Sequence, residues 1–100
     1  MKEADSKSQN VRDCVIHNPK GLHARPASVF VQKAQTFQSE IEVCNLTSGM
    51  IADGKSVLSM LMLAAPCGTT IRLTVNGDDR EEALNALGDL LEYGLDDDEE

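Results

Sequence analysis

The chain has 100 residues and a formal net charge of −8 at pH 7, and 41% of its residues are apolar but only 3% are aromatic. This length favours a single domain with a modest aliphatic core. No apolar run approaches the roughly 18 residues that a membrane-spanning helix needs. The few scattered basic residues, without aromatic neighbours for base stacking, argue against nucleic-acid binding.

The two ends of the chain are polar. The first ten residues, MKEADSKSQN, contain no apolar stretch of the kind found in signal peptides. We expect residues 1–10 to form a disordered extension. Residues 96–100, DDDEE, are all acidic, and such runs are usually solvated. We therefore predict a domain at residues 11–95 followed by an acidic tail at residues 96–100.

Three cysteines, Cys14, Cys44 and Cys67, are far apart in the sequence and include no C-x-x-C pair. Their odd number argues against a disulfide framework, and their spacing argues against a zinc site. We expect reduced thiols, a cytoplasmic protein and no bound metal.

Apolar periodicity predicts four strands and three helices in the order βαββαβα. The predicted strands lie at residues 11–18, 40–45, 50–53 and 69–75. The predicted helices begin just after His23, at Ser56 and after Asp79. Mixed strands and helices in one small domain favour an α+β fold of two layers, with the helices on one face of a four-stranded, mostly antiparallel sheet.

Local signals predict where two of the helices end and how the last one begins. The second helix is predicted at residues 56–65, before Pro66 and Gly68. For the last helix, Asp79 and Glu82 match a D-x-x-E variant of the capping box. Gly94 is expected to cap its C-terminus.

The stretch KGLHARPA, residues 20–27, carries the candidate chemistry. If the first helix begins after His23, then Ala24, Arg25 and Pro26 fill its first turn, where a proline is tolerated. Backbone N–H groups and the positive end of the helix dipole favour an anion there. Arg25 adds a forked cation suited to phosphate oxygens. The alternative is that His23 is a simple helix cap and Arg25 a solvated charge.

An imidazole is largely neutral at pH 7, so a ring nitrogen of His23 can act as a nucleophile. A phosphoryl group on that nitrogen would lie among the N–H groups of Ala24 and Arg25. The sequence contains no Walker-type glycine loop and no metal-ligand spacing. We therefore expect neither a cofactor nor a small-molecule active site.

Three motifs in order resemble the HPr family, the histidine phosphocarriers of the phosphoenolpyruvate-dependent phosphotransferase system. They are GLHARPA at residues 21–27, DGKSVLSMLMLAAPCG at residues 53–68 and NGDDREEALNAL at residues 76–87. The resemblance spans residues 11 to 95. It implies an open-faced β-sandwich with strand order 1-4-2-3 and three helices on one face.

By this resemblance, His23 accepts a phosphoryl group at Nδ1 from phosphorylated enzyme I, with phosphoenolpyruvate as the ultimate donor, and passes it to a IIA protein or domain. Arg25 is then the charge partner of the phosphate. Such a protein is a covalent carrier rather than an autonomous catalyst, and we expect a monomer.

Ser56 falls where regulated family members carry the serine that HPr kinase/phosphorylase modifies. A phosphate there would lie beside the docking surface and should impede enzyme I. The alternative is that Ser56 only caps the second helix. That helix has more apolar residues than one buried stripe requires, and some of them are expected to dock partners. The candidates are Val57, Leu58, Leu61 and Met62.

Two branches of the family fit the sequence. HPr proteins serve sugar uptake, and their NPr relatives serve a nitrogen-related regulatory branch. The runs at residues 56–65 and 81–95 and the acidic tail resemble NPr, which we favour. An intact Ser56 also fits a sugar-transport HPr under kinase control. A different class is a non-catalytic HPr-like regulator that only binds proteins, although the presence of His23 and Arg25 weighs against it.

Overall fold

The computed structural model describes residues 10–94, so the acidic tail and all of the predicted extension except Asn10 lie outside the described residues. The elements follow the predicted order βαββαβα. They are β1 (Val11–Val15), α1 (Ala24–Ala34), β2 (Glu40–Asn45), β3 (Ile51–Asp53), α2 (Val57–Leu61), β4 (Thr70–Asn76) and α3 (Arg80–Asp89). One π-helical turn, Leu90–Gly94, continues α3. None of the helices within residues 10–94 is long and apolar enough to cross a membrane.

The four strands form one antiparallel sheet in the order β1-β4-β2-β3. Cys14 of β1 lies opposite Ile71 of β4, and Val43 of β2 lies opposite Leu73. The predicted antiparallel sheet with order 1-4-2-3 is therefore confirmed. So is the α+β class with three helices.

The alternation of side chains along the strands determines which face of the sheet is covered. In β4, Ile71, Leu73 and Val75 are fully buried, whereas Arg72 between them is exposed. The helices supply the opposing core residues, including Phe30 from α1, Met60 from α2 and Leu87 from α3. The core is aliphatic apart from Phe30, as the scarcity of aromatic residues predicts.

The capping box predicted at Asp79 is wrong. Asp79 is the N-cap residue of α3, but its side chain makes no capping hydrogen bond within residues 10–94. Its carboxylate instead accepts hydrogen bonds from the amides of Gln38 and Ser39, at 2.8 and 3.0 Å, and from the Ser39 hydroxyl. These donors, the Ser39 hydroxyl foremost, hold the pKa of Asp79 below its usual range. The carboxylate of Asp79 therefore binds Gln38 and Ser39, about 40 residues away, instead of an amide in the first turn of α3.

The predicted C-terminal cap at Gly94 is also wrong. Gly94 lies inside the π-helical turn and is not one of the glycines with a positive φ within residues 10–94. The widened turn buries Leu91 in the core. It also places Glu92 3.0 Å from the guanidinium of Arg12 in β1. Contacts to the core and to β1 therefore determine how this helix ends.

Candidate functional site

His23 is the N-cap residue of α1, as the proline in the first turn predicts. Its backbone is extended, with φ of −104° and ψ of −165°. Its carbonyl accepts the first helical hydrogen bond, from the amide of Ala27 at 2.9 Å. The imidazole is half-buried and, within residues 10–94, makes no capping hydrogen bond to this helix. His23 is therefore a helix cap by its backbone position, as the alternative interpretation expects, but without a capping hydrogen bond from its side chain to the described residues of the helix.

The start of α1 is electropositive. Ala24 and Arg25 are exposed, and Pro26 is buried beneath them and has no N–H group. The first turn contains no acidic residue. Two backbone amides, the positive end of the helix dipole and the Arg25 guanidinium therefore share one helix end with His23, an arrangement that suits an anion.

A tight loop leads into this site. The carbonyl of Asn18 accepts a hydrogen bond from the amide of Gly21 at 2.8 Å, and its Oδ1 accepts one from the amide of Lys20 at 3.2 Å. Asn18 is only 3% exposed, and its Nδ2 has no hydrogen-bond acceptor within residues 10–94. These two bonds close a turn that ends at Gly21, directly before Leu22 and His23 lead into α1.

The loop lies directly against the segment that follows α2. The amide of Leu22 donates to the carbonyl of Ala65 at 2.9 Å. Gly21 has a φ of +74°, and a Cβ atom built there would lie 2.6 Å from the same carbonyl oxygen and 2.9 Å from Cα of Pro66. Only glycine fits here without displacement, for reasons of both backbone conformation and space.

Ser56 caps α2, as predicted. Its Oγ accepts a hydrogen bond from the amide of Ser59 at 3.2 Å. The hydroxyl of Ser59 in turn accepts from the amide of Asp53 at 2.8 Å, which joins this helix to β3. Ser56 is half-buried, so its hydroxyl serves the helix start while part of the side chain faces solvent.

The four candidate docking residues of α2 fall into two pairs. Leu58 is 71% exposed and Met62 is 60% exposed. Val57 and Leu61 are half-buried and pack against the core. We call Leu58 and Met62 the α2 patch. The exposed apolar surface of the helix is thus narrower than the sequence predicts.

Comparison with known proteins decides the family. Residues 11–93 match the family model for the PTS HPr component phosphorylation site. The chain belongs to the HPr family. The phosphocarrier protein HPr of Neisseria meningitidis serogroup A is 45% identical over 76 residues, which cover 76% of this chain and 83% of that protein. HPr relatives of this kind are phosphocarriers and not enzymes.

Two further similarities connect the chain to a solved structure and to a longer protein. The crystal structure of an HPr from Bacillus anthracis superposes with a TM-score of 0.76 at 34% identity, covering 82% of this chain and 95% of that one. The multiphosphoryl transfer protein of Salmonella typhimurium is 42% identical over 82 residues, or 81% of this chain. The chain spans only 22% of the length of that relative.

Lys55, directly before Ser56, makes contacts that sequence reasoning missed. Its ammonium donates to the carbonyl of Phe37 at 2.7 Å, and its own carbonyl accepts from the side chain of Gln35 at 3.2 Å. The start of α2 is therefore tied to the end of α1. These partners are about 20 residues away, so no local signal in the sequence could have indicated them.

His17 and the three cysteines are further side chains of the chain that could act as nucleophiles or ligands. His17 is exposed, and its carbonyl accepts from the thiol of Cys67 at 3.6 Å. All three cysteines are free thiols. Burial raises the pKa of the Cys14 thiol to about 11, which makes it unreactive. Within residues 10–94, no group of three histidine, cysteine or acidic side chains could hold a metal ion.

Proposed function

We propose that His23 is the phosphoryl acceptor of this phosphocarrier, taking the group from phosphorylated enzyme I and passing it to a IIA protein or domain. The observation that carries the proposal is the position of His23 at the N-cap of α1, next to Arg25 in a first turn without acidic residues. Phosphoenolpyruvate is the ultimate donor.

The transfer is a displacement at phosphorus. The lone pair of the neutral Nδ1 of His23 forms the new N–P bond, while the bond to the donor breaks and its electron pair stays with the donor. Transfer to the acceptor repeats the step with His23 as the leaving group. The protein thus supplies no catalyst of its own beyond the environment of the phosphate.

That environment matches the charge that arrives. The phosphoryl oxygens would meet the amides of Ala24 and Arg25, and the Arg25 guanidinium would pair with them. Arg25 is exposed, so its attraction for the phosphate is screened by solvent. This weak, solvated pairing supports a phosphohistidine that is stabilised but still able to leave.

The α2 patch is proposed as part of the docking surface for enzyme I and IIA. Leu58 and Met62 are exposed, and α2 packs beside α1. The proposed acceptor, His23, directly precedes the first residue of α1. Exposed apolar side chains mark binding surfaces, and methionine adapts to more than one partner. Val57 and Leu61 contribute by holding the helix on the core.

For the branch, we propose the NPr-like regulatory role, supported by the sequence of residues 56–65 and 81–95 and by the acidic tail. The alternative is a sugar-transport HPr in which HPr kinase/phosphorylase modifies Ser56. A phosphate on Ser56 adds about −1.5 to −2 charges at pH 7, two residues from Leu58. Transfer rates to IIA proteins of the two branches, measured side by side, separate these roles.

The cellular setting proposed is the cytoplasm, where three free thiols remain reduced, and the proposed state is a monomer. Light scattering at several concentrations measures the mass in solution. A dimer at micromolar concentration would contradict the monomer. The proposed partners include no nucleic acid and no membrane, and no cofactor is required.

The experiment is incubation with radiolabelled phosphoenolpyruvate and enzyme I. The proposal expects an acid-labile, base-stable label that is absent from His23→Ala and retained in His17→Ala. Failure to incorporate label with several enzyme I proteins would favour a non-catalytic regulator that only binds proteins. An acid-resistant label from ATP and HPr kinase, lost in Ser56→Ala, would favour the kinase-controlled branch.

A further inference from the structure

The chain leaves α2 through an unusual backbone conformation. Ala64 has a φ of +49° and is the only residue other than glycine with a positive φ within residues 10–94. A Cβ atom disfavours this left-handed region because it crowds the following carbonyl. The Ala64 side chain itself is exposed, so packing of its methyl group does not explain the conformation.

The carbonyl groups on either side of Ala64 are both held by distant partners. The carbonyl of Leu63 accepts a buried hydrogen bond from Nδ2 of Asn45, at the end of β2, at 3.0 Å. The carbonyl of Ala65 accepts the bond from the amide of Leu22 at 2.9 Å. We call these two hydrogen-bonded carbonyls, of Leu63 and Ala65, the first and second anchors. The backbone must change direction between them at a single residue, and the left-handed conformation of Ala64 provides that change.

The second anchor lies at the phosphoryl acceptor site. Leu22 directly precedes His23, and Gly21 leaves no room for a Cβ atom against the Ala65 carbonyl. The position of that carbonyl therefore sets the position of the loop. The first anchor, on Leu63, follows directly after Met62 of the α2 patch, two residues beyond the end of α2.

We infer that Ala64 is a positioning residue that fixes His23 relative to the α2 patch, by directing the Ala65 carbonyl onto the amide of Leu22. The inference rests on the proposed function of His23. A partner docked on Leu58 and Met62 then meets the imidazole at a defined place, and its phosphoryl group is in line with the ring nitrogen.

The test compares Ala64→Gly with Ala64→Val. Because the side chain is exposed, both changes act chiefly on the backbone: glycine accepts the left-handed conformation and valine strongly disfavours it. Wild type and both variants are phosphorylated by enzyme I at increasing carrier concentration. We expect Ala64→Gly to match the wild type, and Ala64→Val to lower kcat at least tenfold while KM for the carrier changes less than twofold.

Separate measurement of kcat and KM distinguishes a misplaced His23 from a carrier that is only less stable. A partly unfolded carrier raises the apparent KM because fewer molecules can dock, but it leaves kcat unchanged. Amide hydrogen exchange gives a second readout. We expect the Leu22 amide to exchange at least tenfold faster in Ala64→Val, with the amide of Leu73 in the central strand unchanged.

A second variant approaches the same contact from the other side. Gly21→Ala places a methyl group against the Ala65 carbonyl and should lower kcat with the same unchanged KM. A normal kcat in both Ala64→Val and Gly21→Ala, or a loss confined to KM, would overturn the inference. Absence of phosphate on wild-type His23 would instead overturn the proposed function, and this inference with it.

Discussion

The carboxylate of Asp79 accepts hydrogen bonds from both the amide and the hydroxyl of Ser39, which joins the start of α3 to the start of β2. Ser39 is almost fully buried, and a Cβ atom on Gly77 would collide with it. One charged side chain and one buried hydroxyl therefore hold these two element starts together. This contact makes stability depend on pH.

The pKa of Asp79 is lower in the folded chain than its ordinary value of 3.8, chiefly because of the Ser39 hydroxyl and then the Gln38 amide. The ionised carboxylate thus stabilises the fold above that ordinary pKa, and the contribution is lost as the pH falls through the lower pKa of the folded state. Asp13, whose pKa Arg72 lowers, acts in the same direction.

We expect Asp79→Asn to be less stable than the wild type at pH 7, with a smaller difference at about pH 3, because this pH lies below the ordinary pKa of 3.8 and protonation of the unfolded chain has begun to remove the contribution. Urea unfolding followed at both pH values measures it. A difference of equal size at the two pH values would show that charge on Asp79 does not matter. The same measurement on Asp13→Asn gives the separate contribution of the Asp13 carboxylate to the pH dependence of stability.

Replacement of Arg25 should slow phosphoryl transfer without affecting the fold. Because Arg25 is exposed, its pairing with the phosphate should contribute about 0.2–1 kcal/mol, so Arg25→Ala is expected to lower the transfer rate roughly 1.5- to 5-fold. Arg25→Lys keeps the positive charge but loses the forked pair of N–H donors, so its transfer rate should lie between those of the wild type and Arg25→Ala. Rapid-quench phosphorylation by enzyme I measures the rates. An Arg25→Ala rate equal to that of the wild type would show that Arg25 takes no part in phosphoryl transfer.

Substitutions at Ser56 separate the helix cap from the effect of negative charge. Ser56→Ala removes the acceptor for the Ser59 amide and should cost about 1 kcal/mol of the free energy of unfolding. Ser56→Asp keeps an acceptor at the cap, so its stability should stay near that of the wild type. If the α2 patch docks enzyme I, the aspartate raises KM for phosphorylation, whereas the alanine does not.

The α2 patch can be tested against an apolar side chain of similar exposure elsewhere. Leu58→Ser and Met62→Ser should each raise KM for enzyme I with little change in unfolding free energy, because both side chains are largely exposed. Ile51, 61% exposed on β3, provides the control. An equal rise in KM for Ile51→Ser would mean that the docking surface is not centred on α2.

Much of the fold follows from local patterns in the sequence. Alternation in residues such as Ile71, Leu73 and Val75 predicts a half-buried strand, and the buried faces of four such strands need helices to cover them. Pro26 places the start of α1 after His23, and Ser56 marks the start of α2. Both helix starts were predicted because their signals lie within one turn of the residue concerned.

The parts that sequence reasoning missed depend on partners distant in the chain. Asp79 has its donors at Gln38 and Ser39, about 40 residues away, which displaced the predicted capping box. The left-handed turn at Ala64 has no local signal, since alanine ordinarily avoids it. The contact of Ala65 with Leu22 forms only when the sheet has brought the two loops together. The side chains of the candidate site are therefore predictable from the local sequence, whereas the contacts that position them join residues far apart in the chain.

The phosphoryl group is proposed to be carried on one ring nitrogen of one of the two histidines. Nitrogen NMR of the chain labelled in its imidazoles, recorded before and after incubation with phosphoenolpyruvate and enzyme I, tests it most directly. We predict that the Nδ1 resonance of His23 shifts and couples to phosphorus while the ring of His17 is unchanged. Phosphate on His17, or no change in the His23 ring despite incorporated phosphate, would contradict it.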